Sequence, residues 1–414
     1  MTMLRAQADS QKLLQLADWL TVGVAASIPW STSATAVFIT LWIVSVLPTL
    51  RSDVVQREFA TAAGGLPVLL WILAVAGVLW ADVAWSERIA GLGSFHRLLA
   101  IPLLLAQFRR SEHGSRVLYG FLAAATCLLV VSWIFALFPG LTPAGKSYGV
   151  PVKDYISQSG IFLICAFALL GVACDLWRAN NRRMIVPLVA LALFFLANIT
   201  FVASSRVTLL VAPVLAVLLG WRQFGWKGTL VACLLASCIA GALWSTSPYL
   251  RARVSVSIQE FHAYLDTDDA NSTGQHIEFL KKSMAIVEAA PFVGHGTGSI
   301  SDQFRRTVSG KTGAAAMAPD NPHNQIFAVA IQLGLVGAIV LVAMWIAHFM
   351  LFRSGGLASW IGMIIVAQDI LSSLVNSHLF DFGQGWLYVF GVGVAGGMTL
   401  RERDAALRSG DLPP

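Results

Sequence analysis

The chain has 414 residues, of which 57% are hydrophobic and only 12% charged, with a mean hydropathy of +0.71. Those values exclude an ordinary soluble domain and point to a membrane protein. The formal charge of +6 comes largely from basic residues flanking apolar runs, so it implies no nucleic-acid partner.

An apolar run of about 17 to 25 residues suffices to cross the hydrocarbon as a helix. In chain order, clear runs cover 17–30, 33–47, 66–85, 117–138, 161–177, 184–203, 207–221, 229–244, 326–351 and 358–375, and weaker ones cover 98–108 and 386–399. They predict an all-α polytopic membrane protein of about 12 transmembrane helices, with both termini on one side. The first nine helices fall in 1–244, a helical outer loop in 245–322, and the last three helices with the C-terminus in 323–414. Arg51, Arg57, Arg109, Arg110, Arg178, Arg182, Arg183, Arg222, Lys227, Arg353, Arg401 and Arg403 all flank the termini's side. The short connections opposite hold only Arg88, Arg97, Lys146, Lys153 and Arg206. The termini are therefore expected in the cytoplasm. The first run leads straight into another, so no cleavable signal is expected. Cys127, Cys165, Cys174, Cys233 and Cys238 all lie in predicted spans and read as small apolar residues rather than as disulfides or a zinc site.

Residues 245–322 are too polar to cross and too long for a connector. Apolar residues recur there at helical spacing: Val254, Ile258, Phe261 and Leu265 form one stripe, and Ile277, Leu280, Met284 and Val287 another. The stretch "NSTGQ", 271–275, predicts a capping box of Ser272 with Gln275 at the second helix. Such stripes pack on each other, on the bundle or on the outer lipid surface. The loop reads as a folded cap or as a substrate-binding lid. It closes with "PFVGHGTGSI", 291–300, whose glycines permit either an ordinary turn or a close approach of backbone to a ligand. No strand precedes it, which excludes a dinucleotide fingerprint.

In "PDNPHNQ", 319–325, Asn321 is the expected N-cap, Pro322 the first helical position and His323 part of the first turn. A helix start disfavours imidazolium and attracts anions, so His323 is expected to accept a proton beside a phosphate site. The alternative is an interfacial histidine bonded to the loop. Arg206, in "SSRVTLL", stands at the outer apex of a predicted helical hairpin. It reads as a snorkelling anchor or as a forked donor for phosphate oxygens. In "AQDILSSLVNSHLFDFGQGW", Asp369, Ser373 and Asn376 share a helix face, with His378 and Asp381 beyond its end. Asp369 reads as a proton-relay group or as a polar contact between helices.

The order of "SSRVTLL", a long loop with "STGQHIEF" and "PFVGHGTGSI", and then "PHNQIFAVAIQLGLVG" resembles the O-antigen ligase and polymerase superfamily. The resemblance covers the polytopic arrangement and most of the second half. Length and the single large loop are most similar to the ligase branch, whereas protein oligosaccharyltransferases of the group carry a further C-terminal region. A GT-C-like architecture is implied. So is transfer of O-antigen from undecaprenyl pyrophosphate to lipid A-core oligosaccharide, at the periplasmic face of a bacterial inner membrane. The family's functional histidine maps onto His323 and its arginine onto Arg206. Relatives often carry arginine where this chain has His276, so the second pyrophosphate contact is expected from His276, Arg88, Arg305 or Arg306. His295, Gly296 and Asn324 complete the expected substrate contacts.

Nucleotide sugars are not supplied outside the inner membrane, so the donor must bring its own activation, which a lipid-linked pyrophosphate does. The only compact carboxylate group in the loop is "DTDD", 266–269, and the expected transfer is inverting, without metal or other cofactor. The competing readings are a polymerase of the same superfamily, a lipid or oligosaccharide transporter, and a structural or sensory protein. Transporters place ionisable groups near the midplane, often in repeated halves, whereas here the polar outliers gather at the outer face.

Overall fold

The computed structural model describes residues 2–410 apart from 143, 204, 247, 268–270, 309 and 311. Every regular element among the described residues is a helix. Helices α1 (Thr2–Ser27) and α2 (Thr32–Val46) make a hairpin turned by Ser31, whose hydroxyl accepts from the Ala34 amide. Helix α3 (Ser52–Phe59) meets α4 (Ala62–Gly77) at 87°, where Thr61 restarts the helix by accepting from the Gly64 amide. Helix α5 (Trp85–His96) runs through a 3-10 turn into α6 (Ala100–Phe108), and α7 (Gly114–Leu137), α8 (Tyr155–Arg178) and α9 (Ile185–Phe201) follow.

Helix α10 (Arg206–Thr246) is broken at Gly225. A Cβ on Gly220 would lie 2.4 Å from the carbonyl oxygen of Gly228. Residues eight apart in a continuous helix are separated by about 12 Å, so the chain folds back at Gly225. The two runs predicted at 207–221 and 229–244 are the limbs of that fold. Beyond α11 (Pro248–Thr267), α12 (Ser272–Ala289) and α13 (Ile300–Thr307), α14 (Gln325–Leu351) is broken at Gly334, and α15 (Leu357–Ser373) and α16 (Phe382–Ser409) complete the bundle.

Among the described residues six helical segments are long and apolar enough to cross a membrane, or seven if the bent pair α3 and α4 counts as one span. The weak run at 98–108 is the second half of one such segment, Trp85–Phe108. Helices α9 and α15 are apolar but shorter, while α1, with Lys12 and Asp18, and the glycine-rich α16 fall below that hydropathy. Much of the outer surface is apolar, with Val44, Leu137, Val186, Phe201 and Leu234 exposed, as lipid requires. The centre is built from α6, α8, α14, α15 and α16, where Phe162, Trp360 and Tyr388 are fully buried. Small residues let these helices approach closely. Gly171 lies beneath the Trp360 ring, and Gly393 and Gly397 of α16 meet Leu104 and Phe108 of α6. At one end of the bundle, Arg57 and Arg109 converge on Asp404, Arg222 donates to the Gly356 carbonyl and Arg403 to that of Leu351. These are segments that the charge bias assigns to one side.

The outer helices correct one expectation and narrow another. Asn271, not Ser272, caps α12, because its side chain accepts from the Gly274 amide. Of the apolar stripes, Ile258, Phe261 and Leu265 of α11 and Leu280 and Met284 of α12 are exposed, which favours the outer-surface alternative for them. Ile277 is half-buried, and Val287 packs against the buried Ile286, Phe304 and Ile331; the side chain of Val254, like Asp268 and Asp269, lies outside the described residues. Helix α12 instead buries Glu278, Phe279, Lys282 and Ile286. Two polar contacts make that burial tolerable. Glu278 accepts from the Tyr264 hydroxyl, and the Lys282 ammonium donates to the carbonyls of Ala315 and Met317, each at 2.7 Å.

Candidate functional site

Breaking α14 at Gly334 removes the helical bonds from residues 335 and 336 back to 331 and 332. The glycine-rich segment after α12 replaces them. Leu335 and Val336 donate to the carbonyls of Pro291 and Phe292, and those of Ile331 and Gln332 accept from the amides of His295 and Gly296. A Cβ on Gly334, whose φ is +64°, would stand 2.2 Å from the Phe292 oxygen. The close approach of backbone expected for a ligand is thus made to the chain itself. His295 serves the same wedge, with Nε2 at 2.9 Å from the Ile286 carbonyl oxygen.

The wedge fixes α12 and the loop that leads into α14. Within that loop His323 adopts φ +53°, a left-handed conformation that costs a non-glycine residue about 1–2 kcal/mol. Asn180 is the other described non-glycine residue at positive φ, and asparagine at a helix end tolerates it. The expectation that His323 lies in the first helical turn is corrected: α14 starts at Gln325, capped by Asn324, whose Oδ1 accepts from the amides of Ile326 and Phe327. Asn321 does not cap, because its Oδ1 accepts from the His323 amide and from the Ser377 hydroxyl at 2.6 Å. The start of α14 is accordingly closed to an anion.

A second loop, between α15 and α16, holds the first. Ser377 meets Asn321, the Leu374 carbonyl accepts from Asn324 Nδ2, and Asn376 Oδ1 lies 3.2 Å from His323 Nδ1. That oxygen already accepts from the Ser377 amide at 2.9 Å, so it is an acceptor and Nδ1 must carry the proton. The neutral ring then has its lone pair on Nε2. Phe279 stacks on the His323 ring, centroids 5.8 Å apart, and His276 approaches edge-on at 5.4 Å. Positions 276 and 279 are one turn apart on α12, which aims both at the same point.

His276 stands on the exposed wall of this group, yet its imidazolium is disfavoured. Partial burial lowers its pKa from the ordinary 6.5, and the nearby His323 and Arg206 add to the effect. Arg206 is exposed at the first position of α10. Three distant segments therefore bring Arg206, His276 and His323 together.

The remaining predicted contacts are engaged elsewhere. Arg88 donates from Nε and Nη1 to the carbonyls of Val83 and Val78, both at 2.9 Å. Arg305 pairs with Glu87, and Arg306 with Asp82 and Asp302. Arg305 and Arg306 tie α13 to the first turn of α5 and to the turn before it, and Glu87 lines a cleft whose other wall includes Asn321 and Pro322. Asn324 is a cap, as described above. Asp369 accepts from the Trp345 indole at 3.2 Å and so joins α15 to α14. Sequence reasoning missed Asn376 as a partner of His323, for which the only signal was a polar position near the end of an apolar helix. It also missed Arg97, whose buried guanidinium donates to the carbonyls of Phe380 and Asp381 and holds the second loop.

Residues 191–342 match the family model described as O-antigen ligase. That span includes Arg206, His276 and His323 and ends before Asn376. The resemblance to the O-antigen ligase and polymerase superfamily therefore holds over the region that carries the three-residue group. None of the curated proteins matches the chain.

Proposed function

Taking the O-antigen ligase match as premise, we propose that this chain is a glycosyltransferase. It moves O-antigen from undecaprenyl pyrophosphate onto lipid A-core oligosaccharide at the periplasmic face of a bacterial inner membrane, with both termini in the cytoplasm and 245–322 as a periplasmic loop. The observation that carries the reading is the meeting of Arg206, His276 and His323 around an Nε2 whose lone pair is free.

In this mechanism His323 Nε2 takes the proton of the acceptor hydroxyl as its oxygen bonds to the anomeric carbon. The bond from that carbon to the pyrophosphate oxygen breaks on the opposite face, which inverts the configuration. Undecaprenyl pyrophosphate leaves with its new charge met by the Arg206 guanidinium and the amides that open α10. His276 supplies a hydrogen bond rather than a full charge near neutral pH, and no step invokes a metal. The exposed stripe residues of α11 and α12 support contact with the outer leaflet, where a lipid-linked donor arrives.

The test is transfer in a reconstituted system containing only purified protein, donor and acceptor. Wild type should ligate, and His323→Ala should lose on the order of 100- to 10,000-fold in rate while still binding donor lipid. Near-normal turnover by the alanine variant would remove His323 from the chemistry. Elongation of lipid-linked glycan in place of transfer to lipid A-core would make the protein a polymerase.

A further inference from the structure

A second cleft opens on the far side of Asn376. Its walls come from the turn between α1 and α2, the start of α8 and the start of α16, and it measures about 680 Å³. That is within the roughly 300–1,000 Å³ typical of small-molecule sites. Two aromatic side chains line it, Trp30 and Phe382, together with Asp154, Asp381, Gln384 and Asn376. Trp30 is held by its indole, which donates to the Ala124 carbonyl at 3.0 Å. Asp381 is only half-buried and no hydrogen bond to its carboxylate is seen among the described residues, while Arg97 fixes its backbone from behind.

We infer that this cleft is the subsite for the acceptor glycan, whose uncharged, hydroxyl-rich end is held between Phe382 and Trp30 with its hydroxyls on Asp381 and Gln384. This rests on the transferase reading above. Sugar rings present one apolar C–H face, which packs on an aromatic ring, and a rim of hydroxyls, which donate well to carboxylates. Charge separates this cleft from the donor's. Two carboxylates, Asp154 and Asp381, face one ammonium, Lys153, which donates to the Ile28 carbonyl. Such a surface repels a pyrophosphate, whereas Arg206 attracts one. Burial raises the Asp381 pKa to about 6 despite Arg97 nearby, so a hydroxyl donor that replaces lost water suits it. Asn376 lines the cleft and holds the His323 ring, so a glycan seated there ends within one side chain of the base.

The probe is core oligosaccharide freed of lipid from a strain without O-antigen, added to the full-length purified protein and followed by saturation-transfer NMR. Wild type should bind it. Asp381→Asn should weaken binding at least about tenfold, since a hydrogen bond to a charged group is of that order, Phe382→Ala should weaken it by removing the ring on which the sugar packs, and Phe382→Tyr should retain it. In the transfer assay the same two variants should raise the acceptor KM and leave the donor KM unchanged, and Arg206→Lys should do the reverse. The subsite is overturned if wild type does not bind the oligosaccharide, if both variants bind it normally, or if the donor KM rises in their place, which would assign the cleft to the donor's glycan. Absence of any transfer by wild type, with the binding pattern intact, would instead sink the transferase reading.

Discussion

The ring of His323 depends on a single amide oxygen for its tautomer. Asn376→Ala removes that oxygen, so the proton is free to move to Nε2 and the base is lost for part of the time. We expect kcat to fall roughly tenfold or more, a share of what a positioned base contributes, with the donor KM unchanged. Asn376→Asp keeps an acceptor at that place and should restore most of the rate. If alanine raises the donor KM and spares kcat, the asparagine binds substrate and does not position the ring. At His276 the sign of the effect is set by charge. Its pKa lies below 6.5, so the residue is neutral at pH 7.5, and His276→Arg should tighten binding of undecaprenyl pyrophosphate with a steeper salt dependence. Wild-type affinity should rise as pH falls below 6.5 and the ring gains charge, while the arginine variant stays flat over that range. Titration calorimetry at several pH values reads both trends. Of this residue group, His323 and Arg206 were legible in the sequence because each broke a local rule at a membrane boundary. Asn376 was not, since its meaning comes from a partner in another loop that no local pattern could reveal.

At the scale of elements, the broken helix α14 organises the site. Four backbone bonds from 291–296 replace those lost at Gly334, and the loop carrying His323 runs from this wedge into the first half of α14. Two glycine substitutions separate wedge from simple kink. Gly225 has φ +59° with ψ −147°, backbone that side-chain-bearing residues rarely adopt, and nothing near its Cβ position, so Gly225→Ala should cost only that backbone strain, on the order of 1–3 kcal/mol. Gly334→Ala shares that strain, adds a collision with the Phe292 oxygen and should cost more than Gly225→Ala, at least about 3 kcal/mol. Thermal unfolding in detergent compares the two; equal losses would mean that the wedge contributes nothing. The sequence showed the glycines of "PFVGHGTGSI" but not their purpose, because an apolar run such as 326–351 conceals a break that only a pairing segment stabilises. The stripes of α11 and α12 were legible as helices, yet the buried face was not. It is closed by Tyr264 with Glu278 and by Lys282 with loop carbonyls, contacts that periodicity does not encode.

For the whole molecule, the charge bias and the packing agree on which connections share an end. Arg57, Arg109, Arg222 and Arg403 cross-link one set through Asp404, Gly356 and Leu351, and Arg206, His276 and His323 cluster in the other. The helix count was less legible, since runs of similar hydropathy join through a 3-10 turn at 97–99 and through a reversal at Gly225. Which end faces the periplasm is decided by labelling. In a background with all five cysteines replaced, cysteines are placed singly at Ser272, exposed at the start of α12, and at Asn181, exposed just after α8. A membrane-impermeant maleimide added to sealed cells should react at position 272 and reach position 181 only after lysis. The basic connections then stay in the cytoplasm, and the group around His323 meets a donor already carried across the membrane. Reaction at position 181 in intact cells would put the histidine on the cytoplasmic side, where nucleotide sugars are available and the argument for a lipid-pyrophosphate donor no longer holds.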